Sequence, residues 1–482
     1  MSAYLFLAIL LLAAQFAHDR MVGLDGFFHI QQARAPWGGM PWMPLSLFAD
    51  GWVDHQLLFH VLLAPLTWVF DGIVAAKVGA ALCGAFGLWA VYAFLRVEGA
   101  PLPLLFALLP VAVSWQFLVR LEMPRVQGLS LGLLLLVSLA LVRDRPRAAF
   151  ALAFAYAWAY HVSALVLPMA ALHVVIGLLP LAVERRRLAW RAPAAAVAGL
   201  VSGFVIHPHS PRTLRFFWQH VVLKVQNQAA LPVGGEWEQG GVSALLAVAG
   251  GGVAALIVAA GLAVWRRGQR AELPVSRLTI FALVLAAGAT VGALRSTKFL
   301  EYSVPLSCLA LGLAVRDRRL FRGRVSMKTA LPLAALVLIG FLGSSWRAAD
   351  AIQREEPAPD RLEAAMHWLH AEDPSGPMVY HFSWNDFPEL VFWGPENRYV
   401  VGLDPHFLYL QDPALWDLYA KIEKGWGTNP SKPIHQRFGA RWAVLVLPWP
   451  GAVEILDADP GLSLAYSDDH ARIYRVNAPP GI

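Results

Sequence analysis

Charge is scarce in this chain. Only 15% of its 482 residues are Asp, Glu, Lys or Arg, while 57% are hydrophobic, and the mean hydropathy is +0.51. Soluble domains carry about a quarter charged residues, so an ordinary soluble protein is excluded and the chain reads as an integral membrane protein. Cysteine is almost missing: Cys83 and Cys308 both lie inside apolar runs, which excludes a disulfide framework. Also missing are a Walker motif, a dinucleotide glycine fingerprint and a serine-centred hydrolase elbow, so the chemistry is expected to use neither a bound nucleotide nor an acyl-enzyme. No internal repeat is visible. The first apolar run, residues 4–16, has neither a basic leader nor a small-residue cleavage site after it, and is read as a retained first helix.

Apolar runs then recur at about 73–95, 102–119, 126–142, 148–165, 168–183, 192–207, 241–265, 276–294, 299–315 and 328–346, giving about eleven transmembrane helices. The net charge of +6 comes largely from arginine clusters between them. These are Arg143, Arg145 and Arg147; Arg185, Arg186, Arg187 and Arg191; Arg266, Arg267 and Arg270; and Arg316, Arg318, Arg319, Arg322 and Arg324. Such clusters signal topology rather than nucleic-acid binding, and the positive-inside rule assigns all of them to the cytoplasm. Parity is kept if residues 57–70, too short to span, lie in the interface or dip into the membrane. The N-terminus is then cytoplasmic, and residues 18–72 form a long first external loop holding Asp25, His29, Arg34, Asp50, Asp54, His55 and His60.

Asp25 follows directly on the first helix, beside Phe27, Phe28 and His29. Ionisable residues at a membrane boundary are costly to keep unless used, and Asp25 is the candidate centre of an active site. The plainer alternative is a polar helix-end pair, since Asp25 and His29 are four residues apart and share a helical face. Other unusual polar residues fall on the same external side: Glu122 and Arg125 in the second external loop, His161 after an aromatic run, His207 and His209 opening a later loop with Lys224, Glu236 and Glu238, and Arg295, Lys298 and Glu301 in a short loop. Arg295 and Lys298 break the positive-inside bias, which an anionic head group would explain; snorkelling of Arg295 and pairing of Lys298 with Glu301 would explain it as well. Asp25, Glu122 and either His207 or His209 are a candidate set for a divalent cation, Mg or Mn for the carboxylates and Mn in preference if an imidazole joins.

Composition shifts near residue 347. A linker, 354–360, leads to a helix at 361–370, and apolar strands follow at 378–382, 399–401, 442–447, 462–466 and 471–476. Residues 1–346 are therefore read as the transmembrane domain and 347–482 as an extracytoplasmic α/β domain. The stretches His381-Phe382-Ser383-Trp384-Asn385-Asp386 and Gly402-Leu403-Asp404-Pro405-His406-Phe407 suit carbohydrate or peptide contact, or ordinary turns.

An aspartate after helix one, the acidic second loop Arg120-Leu121-Glu122, arginines in later external loops and a C-terminal extracytoplasmic domain together resemble the GT-C superfamily of membrane glycosyltransferases. That superfamily includes oligosaccharyltransferase catalytic subunits and polyprenyl-phosphate-sugar-dependent mannosyl- and arabinosyltransferases. Its second loop often has two acids where this chain has one. Trp384-Asn385-Asp386 is only loosely similar to the oligosaccharyltransferase acceptor motif.

The resemblance implies an inverting transfer from a polyprenyl phosphate- or diphosphate-linked sugar to a glycan, lipid or protein acceptor. Asp25 would be base or metal ligand, with His29 or Glu122 orienting it. Arg125, Arg295 and Lys298 would hold the phosphate, and His161, Asp54, His55 and Glu301 would line the substrate site. A transporter or flippase for a lipid-linked or anionic substrate is the alternative; a non-catalytic scaffold is a third. The alanine-, leucine- and arginine-rich composition suggests a bacterial inner membrane.

Overall fold

The computed structural model describes residues 2–39, 41–49, 51–179, 190–223, 241–265, 275–321, 325–425 and 429–477. Asp50, Arg185, Arg186, Arg187, Lys224, Glu236, Glu238, Arg266, Arg267, Arg270, Arg322 and Arg324 lie outside the described residues.

Ser2 caps the first helix by accepting from the Leu5 amide, and α1 runs Ala3–Gln15. The long loop that follows holds α2 (Asp25–Arg34) and α3 (Leu57–Thr67). At 11 residues α3 is short, as expected of a non-spanning segment. The Asp71 carboxylate caps α4 (Gly72–Val97), the first long apolar helix. The run expected as one span at 102–119 is instead two helices, α5 (Pro103–Val113) and α6 (Trp115–Glu122), bent by 95°. Ser114 causes the break locally: it leaves the helical conformation, its hydroxyl accepts from the Phe117 amide at 3.1 Å and donates to the Val248 carbonyl at 2.8 Å. Next come α7 (Gln127–Val142), α8 (Pro146–Ala159), a 3-10 turn His161–Leu165 leading into α9 (Val166–Leu178), and α10 (Arg191–Ile206). Helix α11 (Arg212–Phe217) passes into a π turn, Trp218–Val222. Then follow α12 (Val242–Val264), α13 (Arg277–Ala293), α14 (Leu300–Asp317) and α15 (Met327–Glu355).

Among the described residues five helices are long and apolar enough to cross a membrane, or six if the bent pair counts as one. Helices α1, α7, α10 and α13, expected as spans, are apolar but shorter. One end of the bundle gathers basic side chains: Arg143 pairs with Glu98 at 2.6 Å, Arg316 reaches Glu98 and Asp317, and Arg277 donates to the Leu179 carbonyl. Helix α4 runs from this end to the other, about 39 Å at 1.5 Å per residue. There, a Cβ on Gly72 would stand 2.7 Å from Phe392, so only glycine admits that close approach.

Helix α15 continues through Glu355, past the expected boundary at 346. Beyond it lie α16 (Glu363–Glu372), α17 (Phe387–Trp393), α18 (His406–Gln411), α19 (Pro413–Glu423), α20 (Ser431–Gln436) and α21 (Pro450–Asp457). They surround a five-stranded sheet of order β2-β1-β3-β5-β4, with β1 (Met378–His381), β2 (Arg398–Tyr399), β3 (Trp442–Val446), β4 (Leu462–Ser467) and β5 (Ala471–Val476). Strand β1 is parallel to β2 and β3, whereas β5 is antiparallel to β3 and β4. All five residues of β3 are buried, the unbroken apolar run of a central strand. The first loop is built into this layer. Phe28, Trp42, Phe48 and Trp52 share a core with Leu362, Val379, Phe387 and Phe407, and the Tyr399 amide donates to the Trp42 carbonyl at 2.6 Å.

Candidate active site

Asp25 is the first residue of α2, where a carboxylate meets the positive end of the helix dipole. Gly26 decides what it meets next. A Cβ there would stand 2.9 Å from Pro124, so the missing side chain lets α2 press against the segment after α6. The result is an ion pair of 2.9 Å between Arg125 Nη2 and Asp25 Oδ2, with the aspartate side chain 36% exposed.

One turn further, His29 is buried and turns Nδ1 to Nε2 of His60 at 2.9 Å, and His60 Nδ1 reaches Asp54 Oδ2 at 2.6 Å. Asp54 also accepts from the Gln56 amide at 2.9 Å, a turn that starts α3 and fixes the carboxylate. Burial, then the neighbouring His60, Arg125 and His55, depress the His29 pKa well below the usual histidine value, so the ring is neutral at pH 7. Burial pushes the Asp54 carboxyl up, but His60 and the Gln56 amide outweigh it and hold it below the ordinary range.

A second carboxylate–histidine chain approaches from the C-terminal layer. Asp404 Oδ1 lies 2.7 Å from His406 Nδ1, and His406 Nε2 lies 3.2 Å from Nδ1 of His220 in the π turn. The His220 ring is 4.8 Å from that of His161 and 5.4 Å from that of His55, and Phe216 stacks on both His55 and His220. The two chains meet at a cavity of about 80 Å³ lined by Asp25, His29, His55, Arg125, Tyr160, His161, His220, Lys298 and Asp404, among others.

Of the residues expected at the site, this cavity brings together Asp25, His29, Arg125, His161, His55 and Lys298, and Asp54 acts on it through His60. Five others, Glu122, Glu301, Arg295, His207 and His209, do not line it. Glu122 turns to His18 at 3.3 Å and so does not orient Asp25. Glu301, buried in the first turn of α14, pairs with Arg120 at 3.0 Å. Arg295 is exposed after α13 and does not line the cavity. His207 packs against Trp158 and accepts from the His209 amide through Nδ1 at 3.2 Å.

The cation set Asp25, Glu122, His207 and His209 is therefore not assembled. The groups that do bring ligand atoms within 4.8 Å of one another are His55, His161 and His220, and His220, Asp404 and His406. His220 has no spacing signal in the sequence; His60, Asp404 and His406 lie in stretches that the sequence marks as loops without fixing their direction.

No family model matches the sequence, and no curated protein is similar to it by sequence. Solved structures are similar in fold. ArnT from Cupriavidus metallidurans in the apo state aligns with a TM-score of 0.62 at 14% identity over 98% of this chain and 96% of that one, and a second structure of it, bound to undecaprenyl phosphate, gives 0.60 at 13%. The archaeal oligosaccharyltransferase AglB from Archaeoglobus fulgidus, in complex with an inhibitory peptide and a dolichol-phosphate, aligns with 0.60 at 11% over 92% of this chain and 69% of AglB. The arabinofuranosyltransferase AftD from Mycobacteria aligns with 0.57 at 17% over 98% of this chain, which spans 41% of its length. All are membrane glycosyltransferases of the superfamily that the first-loop aspartate points to, and this chain has the GT-C fold.

Proposed function

We propose that the chain is a membrane glycosyltransferase that moves a sugar from a polyprenyl phosphate or diphosphate to an acceptor, by inversion, with Asp25 as general base. One observation carries the reading: the Asp25–Arg125 pair lines a cavity that Lys298 also lines, so a base and two cations face one small space. The fold supports it, because solved relatives of the same fold hold undecaprenyl phosphate or dolichol-phosphate.

In the proposed step the Asp25 carboxylate takes the proton of an acceptor hydroxyl, whose oxygen bonds to the anomeric carbon. The bond from that carbon to the phosphate oxygen breaks, and the polyprenyl phosphate leaves with its charge met by Arg125 and Lys298. His29, neutral and tethered through His60 to Asp54, fixes the α2 face beside Asp25. Asp25 pairs with Arg125 and Glu122 with His18, which supports proton acceptance as the role of Asp25. The acceptor is a hydroxyl of a glycan, lipid or protein. The basic end of the bundle would face the cytoplasm and the site the outer side of the inner membrane. No observation among the described residues favours transport.

The test is transfer of radiolabelled sugar from a panel of polyprenyl phosphate and diphosphate donors, with membrane extract as acceptor. Wild type should transfer from at least one donor, and Asp25→Asn should bind that donor while transfer falls at least about 100-fold, the scale of general-base loss. Undiminished transfer by Asp25→Asn would overturn the assignment.

A further inference from the structure

We propose that the groove between the end of α2, the start of α4 and the C-terminal layer binds the zwitterionic headgroup of a phospholipid of the phosphatidylethanolamine class. The groove is a cavity of about 580 Å³, within the range of small-ligand sites. Its walls carry one guanidinium, from Arg34, and two carboxylates, from Asp71 and Glu396, beside the aromatic rings of Phe392 and Trp393. It shares no lining residue with the cavity at Asp25.

Position selects a membrane lipid. Gly72 and Ile73, which line the groove, are the first two residues of α4, a helix long and apolar enough to cross a membrane. The groove therefore opens at the level where that helix leaves the bilayer. Just before it in the chain, Trp68 and Val69 are 78% and 74% exposed, and Phe70 is exposed as well. An exposed tryptophan with apolar neighbours at a helix end suits the headgroup boundary, where such rings sit.

Charge selects the headgroup. The Arg34 guanidinium lies over the Phe392 ring at 4.9 Å, donates through Nη1 to Gln31 at 2.7 Å and has its Nη2 beside Gly72. These contacts fix its plane for a phosphate, which a guanidinium binds through paired donors. Glu396 meets His370 at 3.2 Å and the Asn397 side-chain amide at 3.3 Å, both through Oε1. Asp71 accepts from the Val74 amide through Oδ1 at 2.9 Å. A carboxylate has acceptor sites beyond these, so Glu396 Oε2 and Asp71 Oδ2 can take the ammonium of the same headgroup. A headgroup without an ammonium would set bare negative charge against both acids. Arg34 is the last residue of the helix that begins with Asp25, about 14 Å along its axis. A bound headgroup would hold that far end of α2 at the membrane surface.

Binding is read without activity, so the test stands apart from the transfer reaction. The full chain in detergent is titrated with phosphatidylethanolamine or phosphatidylglycerol of matched acyl chains, and bound lipid is counted by native mass spectrometry. Phosphatidylethanolamine should bind at least about 10-fold more tightly than phosphatidylglycerol, the weight of one hydrogen bond to a charged group. Arg34→Gln should weaken phosphatidylethanolamine by a similar factor, and Glu396→Gln should shrink the preference between the two lipids. Arg354→Gln, at an exposed arginine in the last turn of α15, is the control and should bind as wild type. Equal binding of the two lipids, or an Arg34→Gln that binds phosphatidylethanolamine as wild type does, would overturn the site. If the variants fail to fold, hydrogen–deuterium exchange of the wild type in nanodiscs decides. Slower exchange at residues 70–73 and 393–396 in phosphatidylethanolamine than in phosphatidylglycerol supports the proposal, and equal exchange overturns it.

Discussion

Arg125 stands 2.9 Å from the Asp25 carboxylate because Gly26, the next residue of α2, has no side chain to hold Pro124 away. An added Cβ would stand 2.9 Å from Pro124 Cγ and 3.1 Å from Met21 Sδ, closer than such atoms pack. Gly26→Val should therefore part the pair without removing either member. We expect transfer to fall at least about 10-fold, as small misplacements of reacting groups do, with donor binding weakened less. Steady-state kinetics on the donor found active would check it.

Asp54 is the buried anchor of the His60–His29 chain. Asp54→Ala leaves His60 buried without its acceptor, a loss of about 1–3 kcal/mol, measurable by denaturant unfolding in detergent. The pH sign follows from the depressed carboxyl: the contribution is present above the unfolded-state pKa of about 4 and is lost as pH falls through the lower folded value. The gap between wild type and variant should narrow on acidification.

Asp386 behaves the other way. Burial, with Glu389 nearby, raises its carboxyl from 3.8 to about 7. The folded state then holds a proton that the unfolded chain has released, so stability falls as pH rises from about 4 to about 7, by at most roughly 1.4 kcal/mol per pH unit from this group. Asp386→Asn should flatten that decline and stabilise the protein at pH 8. Thermal unfolding across pH 5 to 8 reads both outcomes.

Arg361 contacts Glu389 through Nε at 3.1 Å, with Glu389 fully buried. Removing one partner of a buried pair costs about 3–5 kcal/mol. Arg361→Ala should unfold the C-terminal layer at lower denaturant, while the double change Arg361→Met with Glu389→Leu should recover most of the loss. A double-mutant cycle by chemical denaturation decides it.

Much of the architecture was legible along the chain. Most of the apolar runs expected to span are helical among the described residues, because a long hydrophobic run pays its backbone hydrogen bonds within itself, while the runs 102–119 and 148–165 are broken at Ser114 and Tyr160; the five strands from residue 378 on fall where the apolar segments stand. Helix ends were less legible: the break at Ser114 needs the Val248 carbonyl, which comes from a distant helix. The same limit governed the site. Asp25, His29 and Arg125 were marked by being charged or polar at a membrane boundary, which a single sequence displays.

The partners were not marked. Glu122 and Glu301 fall on the same external side as Asp25 in the sequence, but packing turned them to His18 and Arg120. His220 shows nothing in its neighbours along the chain; only the meeting of the π turn with the Asp404–His406 turn gives it a role. Sequence determined which segments prefer apolar surroundings and where charge is costly, since both depend on residue type and spacing. Tertiary structure decided which charges meet, because a side chain's partner is set by the direction of helices separated by 100 residues or more, as between Asp25 and Arg125.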